Sequence, residues 1–165
     1  MKLAGTIHKL GAHVDTDAIL PGKYLNLHKP EDLGPHCLEG LDPTFATRVQ
    51  SGDIIVAGKN FGTGSSREHA PIALKAAGVS CVVAESFARI FYRNAINIGL
   101  PIFECPELAL AAKDGEKVLS DVQRGTFEVE GASYQAKPFA PYIQGIINAG
   151  GLVEFVKKQR PVNKS

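Results

Sequence analysis

The chain has 165 residues, with 18 Lys and Arg against 17 Asp and Glu and a formal net charge of +1. That length suits one well-buried core, so a single domain over 1–165 is expected. No basic run could track a phosphate backbone, which speaks against nucleic acid as a partner. The longest apolar runs, such as Ile54-Ile55-Val56-Ala57 and Cys81-Val82-Val83-Ala84, are of strand length and far too short to cross a bilayer. No apolar secretory segment follows Met1, and a cytoplasmic protein without membrane attachment is expected.

In chain order, Lys2 to Lys9 reads as an opening strand. The segment Val14 to Asn26 is polar at its start and broken by Pro21-Gly22, which predicts a loop. Prolines and glycines recur to about Pro43, with a short helix near Pro30 to Leu33. The segment from about 20 to 43 is long enough to be a mobile lid. Next comes a strand over 53–58, a helix from about 66 to 77 closed by Gly78, and a strand from Val79 to Ala84. A helix from Phe87 to Ile98, between a capping Ser86 and a terminating Gly99, leads to a strand from Leu100 to Glu104. This alternation predicts an α/β fold with parallel strand pairing and helices packed alongside. Phe87, Ile90, Phe91, Ala95 and Ile98 recur at helical spacing and read as a core stripe. Arg89 and Arg93 lie four apart off that stripe, as a solvated or partner-facing edge or, less simply, as substrate contacts. Further on, Val118-Leu119, Thr126 to Val129 and Ser133 to Ala136 read as short strands around Arg124-Gly125 and Glu130-Gly131 turns. A helix from about Pro141 to Asn148 ends at Ala149-Gly150-Gly151, and a mixed-charge tail occupies about 157–165.

Cys37, Cys81 and Cys105 are odd in number and widely spaced, and the five histidines are scattered. Without paired ligand spacings, the sequence predicts no metal held by this chain. The chemistry gathers instead at Asn60-Phe61-Gly62-Thr63-Gly64-Ser65-Ser66-Arg67-Glu68-His69, a glycine turn between a strand and a helix start. Such a corner can place hydroxyls, a guanidinium and free backbone N–H groups around one anion. Ser65 and Glu68 also fit the capping box S-x-x-E, a purely structural reading in which Pro71 sits awkwardly inside the helix. Capping leaves Arg67 unexplained, because a cation at a helix N-terminus opposes the dipole unless an anion is near. The dinucleotide pattern fails at Arg67, where its third glycine belongs, and no G-K-[ST] is present. A serine hydrolase would need G-x-S-x-G, which Gly64-Ser65-Ser66-Arg67 does not complete.

The string Gly64 to Ala70, followed one strand later by Ser86-Phe87-Ala88-Arg89-Ile90, resembles the swivelling domain of the aconitase superfamily. Asp15-Thr16-Asp17 with Tyr24-Leu25 downstream, and the closing Ala149-Gly150-Gly151-Leu152, resemble the free-standing small subunits of the 3-isopropylmalate dehydratase family. The likeness runs from Gly5 to Lys158. It implies a swivelling β/β/α domain, a mixed sheet with a parallel βαβα core and flanking helices. This domain would dock, as a heterodimer or heterotetramer, on a large subunit that carries a 4Fe-4S cluster, with no cofactor on this chain. The implied reaction is a dehydration and rehydration of a malate-like acid in leucine biosynthesis.

By the same resemblance Ser65 is the catalytic base and Arg67 stabilises charge. Arg67 and Ser66 grip a substrate carboxylate and Asp17 is a polar group of the site, while the roles of Asp15 and His69 stay open, a purely structural one among them. Asn26 stands where relatives acting on tricarboxylic acids have an arginine, which favours a substrate with an alkyl group there. Thr63 replaces a cysteine common among relatives, without a functional reading. Other readings stay open on the residues alone. They are the same chemistry on 2-methylmalate, dimethylmalate or a homoaconitate-type acid, a non-catalytic anion-binding module, and a serine hydrolase.

Overall fold

A computed structural model describes residues 2–159. Strands β1 (Leu3–Lys9), β2 (Ile54–Ala57), β3 (Cys81–Ala84), β4 (Ile102–Glu104), β5 (Lys117–Asp121), β6 (Thr126–Val129) and β7 (Ala132–Gln135) form one sheet in the order β4-β3-β2-β1-β5-β6-β7. From β4 to β1 the pairing is parallel, and from β1 to β7 it is antiparallel. β1 joins the two halves: Leu3 to Thr6 pair with β5, and Ile7 to Lys9 pair with β2. Around the sheet lie α1 (Thr16–Ile19), α2 (Pro30–Leu33), α3 (Phe45–Arg48), α4 (His69–Ala77), α5 (Arg89–Asn97), α6 (Pro106–Ala111), α7 (Pro141–Ala149) and α8 (Leu152–Gln159).

Side chains alternate between the faces of a strand, and in β2 and β3 both faces are buried. Ile54, Val56, Cys81 and Val83 pack with Phe103, Leu108 of α6 and Phe127 on one side. Ile55, Ala57, Val82 and Ala84 pack on the other with Ala73 and Leu74 of α4, Phe91 and Ala95 of α5, and Ile146 of α7. The mixed sheet with a parallel βαβα half and flanking helices agrees with the predicted fold class. The segment over 20–43 is anchored in that second core by Leu20, Leu33, Cys37 and Leu38.

Several local expectations change. α4 begins at His69, not near 66, so Pro71 falls in its first turn, where the N–H it lacks would have no helical partner. α5 begins at Arg89, and Ser86 does not cap it; the Ser86 hydroxyl accepts the Asn60 N–H at 3.0 Å. Ile90, expected in the core, is 49% exposed. α6 has only six residues, too few for a helical period to be read. The supposed tail is helical as far as Gln159, with Phe155 edge-on to Tyr142 at 5.5 Å, while 160–165 lie outside the described residues.

Just before β2, Asp53 fixes the junction of the two sheet halves. One carboxylate oxygen accepts the Thr6 N–H at 2.9 Å, and the other meets His8 Nε2 at 2.7 Å and the Gln50 N–H at 3.0 Å. Burial alone pushes this carboxyl up, but the hydrogen bonds from His8, Gln50 and Thr6 outweigh it and hold its pKa below the ordinary 3.8. Its ionisation therefore stabilises the fold fully above that value, and the contribution is lost as pH falls through the lower folded-state pKa. Asp53→Asn should cost about 1–3 kcal/mol in urea denaturation at neutral pH, the range for a buried hydrogen-bonding group left unsatisfied. Below pH 3.8 the gap to wild type should narrow; a constant gap across that range would mean Asp53 is not the titrating group.

Candidate active site

Because β1, β2 and β3 run the same way, the loops that follow them emerge together, at the end of a parallel sheet where ligands are usually held. Backbone hydrogen bonds lace these loops side by side. The His13 N–H reaches Lys59 O at 2.7 Å, Gly62 N–H reaches Val14 O at 2.7 Å, and Thr16 N–H reaches Thr63 O at 2.8 Å. On the other flank the Phe61 N–H reaches Ser86 O at 3.1 Å and Ala88 N–H reaches Phe61 O at 3.0 Å. The glycine turn is thus held on both sides. Gly62 has φ +86°, and a Cβ built on it would lie 2.2 Å from Phe91 Cγ, so the turn needs glycine both for its backbone and for its closeness to α5.

The laced loops and the first turns of α5 enclose a depression of about 280 Å³, bordered by Thr16, the run Gly62 to Arg67, Ala88 to Phe91, and Asn94. Ser65, Ser66 and Arg67 all border it. Ser65 and Ser66 are exposed, and neither hydroxyl has a partner among the described residues. The backbone N–H groups of Ser65, Ser66 and Arg67 are likewise without acceptors among those residues. Buried Thr16 donates its hydroxyl to Ser65 O at 2.9 Å and so sets the direction of the serine corner.

The capping-box reading fails. Glu68 is the N-cap of α4 and no side chain bonds there, so Ser65 has no structural duty at the helix start. Arg67, moreover, has an anion within the chain. It lies before the helix, and its Nη1 donates to Asp17 Oδ1 at 2.9 Å and to Leu20 O at 3.4 Å. Asp17 is itself exposed and also accepts the Gly22 N–H. These two bonds, the guanidinium first, lower the Asp17 pKa. Asp17 therefore touches the site through Arg67 and does not border the depression. Asp15 caps α1 by accepting the Ala18 N–H at 2.7 Å.

Asn26 is exposed in the turn after Gly22–Tyr24 and does not border the depression. Its loop meets the site near its start, where Arg67 Nη1 donates to Leu20 O at 3.4 Å, and farther on through the ring contact of His28 with His69, at 5.9 Å between centroids. Sequence reading missed Thr16 and Asn94 as site residues. Thr16 carries a signal, since a hydroxyl between two aspartates just beyond a strand is a common loop-bonding group; nothing in the sequence singles out Asn94. No group of three or more His, Cys, Asp or Glu among the described residues could hold a metal ion. Burial pushes all three thiols up, leaving them poor ligands.

The sequence matches the Aconitase C-terminal domain family over residues 4–107. It is 57% identical over 161 residues to a 3-isopropylmalate dehydratase small subunit from Moorella thermoacetica, covering 96% of this chain and 97% of that protein. It is 55% identical over 159 residues to the protein of that name from Halothermothrix orenii, covering 95% and 96%. The fold superposes on the crystal structure of a 3-isopropylmalate dehydratase from Methanocaldococcus jannaschii with a TM-score of 0.90 and 44% identity, over 96% of this chain and 95% of the other. No helix among the described residues is long and apolar enough to cross a membrane.

The glycine turn gives a graded test of this geometry. Gly62→Ala combines a left-handed φ, about 1–2 kcal/mol, with overpacking against Phe91, about 1–3 kcal/mol, for a total of about 2–5. Gly64→Ala meets nothing closer than 3.5 Å and should lose only the first of these. Equal shifts in the two thermal transitions would contradict the close approach of Gly62 to α5.

Proposed function

The chain belongs to the 3-isopropylmalate dehydratase small subunits of the aconitase superfamily, and from that premise we propose how its serine corner works. The enzyme is a hydro-lyase that interconverts 2-isopropylmalate and 3-isopropylmalate by dehydration and rehydration, a step of leucine biosynthesis. A group of this chain must take a proton alpha to a carboxylate, and other groups must hold the dicarboxylate in place. The observation that carries the assignment is the pair of hydroxyls, Ser65 and Ser66, free of structural duty beside a guanidinium that is already fixed in place.

In this reading Ser65 Oγ is the base. An isolated serine is too weak an acid to serve, and the groups that favour its alkoxide are the cation of Arg67 and the free N–H groups of the corner, acting in a water-poor site. Arg67 spends Nη1 on Asp17 and Leu20 O, leaving its Nε and Nη2 hydrogens to bind a substrate carboxylate, with the Ser66 hydroxyl as a further donor. Asp17 holds the guanidinium in position. Asn26, neutral and on the adjoining loop, favours an alkyl substituent over a third carboxylate.

The 4Fe-4S cluster of the family does not fit this chain. Cys37 is buried in one core, Cys81 and Cys105 in the other, and no donor set converges among the described residues. The reading assigns the cluster to a large subunit that pairs with this one, and no step described here depends on it.

Ser65→Ala should lower turnover of the assembled enzyme by about 10²–10⁴-fold, the usual span for a general base. Its thermal transition should stay within about 0.5 kcal/mol of wild type, as for exposed surface changes. Near-normal turnover would remove Ser65 from the base role, and wild-type chain that stays inactive with its large subunit would remove the functional reading itself.

Asn26→Arg should pair with an added carboxylate and repel an alkyl group. At about 1.5–3 kcal/mol per charge-assisted bond, preference between isopropylmalate and a tricarboxylic homologue should move about 10- to 150-fold. The two kcat/KM values should change in opposite directions; a parallel fall would mean only that the loop was disturbed.

A further inference from the structure

Arg89 opens α5 and Arg93 follows one turn later, on the same helix face. Both are exposed, and neither has a hydrogen bond or ion pair with any described residue. Arg48, Arg67 and Arg124, by contrast, each stand beside an aspartate. The first turn of a helix disfavours a cation, and like charges four residues apart repel, so these arginines weaken the helix that carries them. Between them Ile90 is 49% exposed although its helical spacing matches the core stripe. Arg89 and Ile90 border the depression that holds Ser65 and Ser66, and Arg93 lies outside it. Three locally unfavourable choices at one rim of a functional depression indicate a surface shaped by something outside the chain.

Resting on the functional reading above, we propose that Arg89, Ile90 and Arg93 anchor this chain to its large subunit. Ile90 enters an apolar recess there, and carboxylates around that recess pair with the two arginines. The occupant follows from continuity with the site. Ile90 borders the depression and is half exposed, and an active site shared by two subunits excludes water only if the second subunit covers such a rim. Binding of substrate by Arg89 would explain neither the exposed aliphatic side chain next to it nor an uncompensated Arg93 beyond the depression. An exposed apolar anchor flanked by arginines is also the composition that interface centres favour.

The test titrates the purified, cluster-loaded large subunit with this chain at low and moderate ionic strength. Affinity is read by sedimentation and by recovered activity. Arg89→Glu/Arg93→Glu and Ile90→Ser should each weaken association by about 10- to 100-fold, the effect of losing an interface anchor. In the charge-reversed chain salt should strengthen association, the opposite of its effect on wild type, because it now screens a repulsion. Arg93→Glu alone should bind more weakly yet reach wild-type kcat and KM once the large subunit is saturating. Arg89→Gln/Arg93→Gln removes the charge with minimal risk to folding and should show the weakened association too. Unchanged affinity and salt dependence in all variants would overturn the docking role. So would a raised KM for Arg93→Glu at saturating large subunit with unchanged affinity, which would make it a substrate contact. If wild-type chain itself neither binds the large subunit nor restores activity, the functional reading falls, and this inference with it.

Discussion

The lateral lacing of three loops beyond the parallel strands is the constraint on which this molecule depends. β1, β2 and β3 fix the starting points of the loops, and five backbone hydrogen bonds then carry the order of the sheet one layer further, where no regular strand exists. Backbone bonding makes the arrangement indifferent to most side chains, which frees Ser65 and Ser66 to face outward and Arg67 to reach across to Asp17. It is strict in one place. The turn must pass so close to Phe91 that Gly62 has no alternative.

β2 is consequently clamped at both ends. Below it, Asp53 gathers two backbone N–H groups and the His8 ring into a buried knot. Above it, the laced loops hold its continuation. A strand of four residues would ordinarily be weakly specified in register, and a slip by one residue would exchange Ile54 and Val56 with Ile55 and Ala57 between the two cores. The clamp makes that slip expensive, because it would break the buried ionic hydrogen bonds and the loop lacing together. Rigid support of this kind lets exposed loop residues serve as a site.

Reading the sequence located the elements with long, regular patterns and the polar corner from Ser65 to Arg67, because hydrophobic alternation and glycine turns are local signals. It failed where the deciding interaction came from far away in sequence. Ser86 looked like a cap for α5, yet its hydroxyl belongs to Asn60 on the neighbouring loop. Arg67 looked unpartnered because its aspartate lies fifty positions earlier, in α1. Ser65 with Glu68 satisfied the capping pattern, but the chain enters α4 only at His69, and Pro71 was the local clue. Ile90 obeyed the period of the core stripe and still faces outward, because no element among the described residues covers it.

That last mismatch separates the two kinds of burial in such a protein. Phe91 and Ala95 complete their burial against the chain's own sheet, so helical period predicts them well. Ile90 obeys the same period at the rim of the depression, on the side where we propose that the large subunit docks. Periodicity reports that a side chain is to be buried without saying by what. A residue that fits the core pattern and is bare in the folded chain, beside a site whose chemistry is incomplete, is therefore more informative about a partner than any exposed residue that fits no pattern.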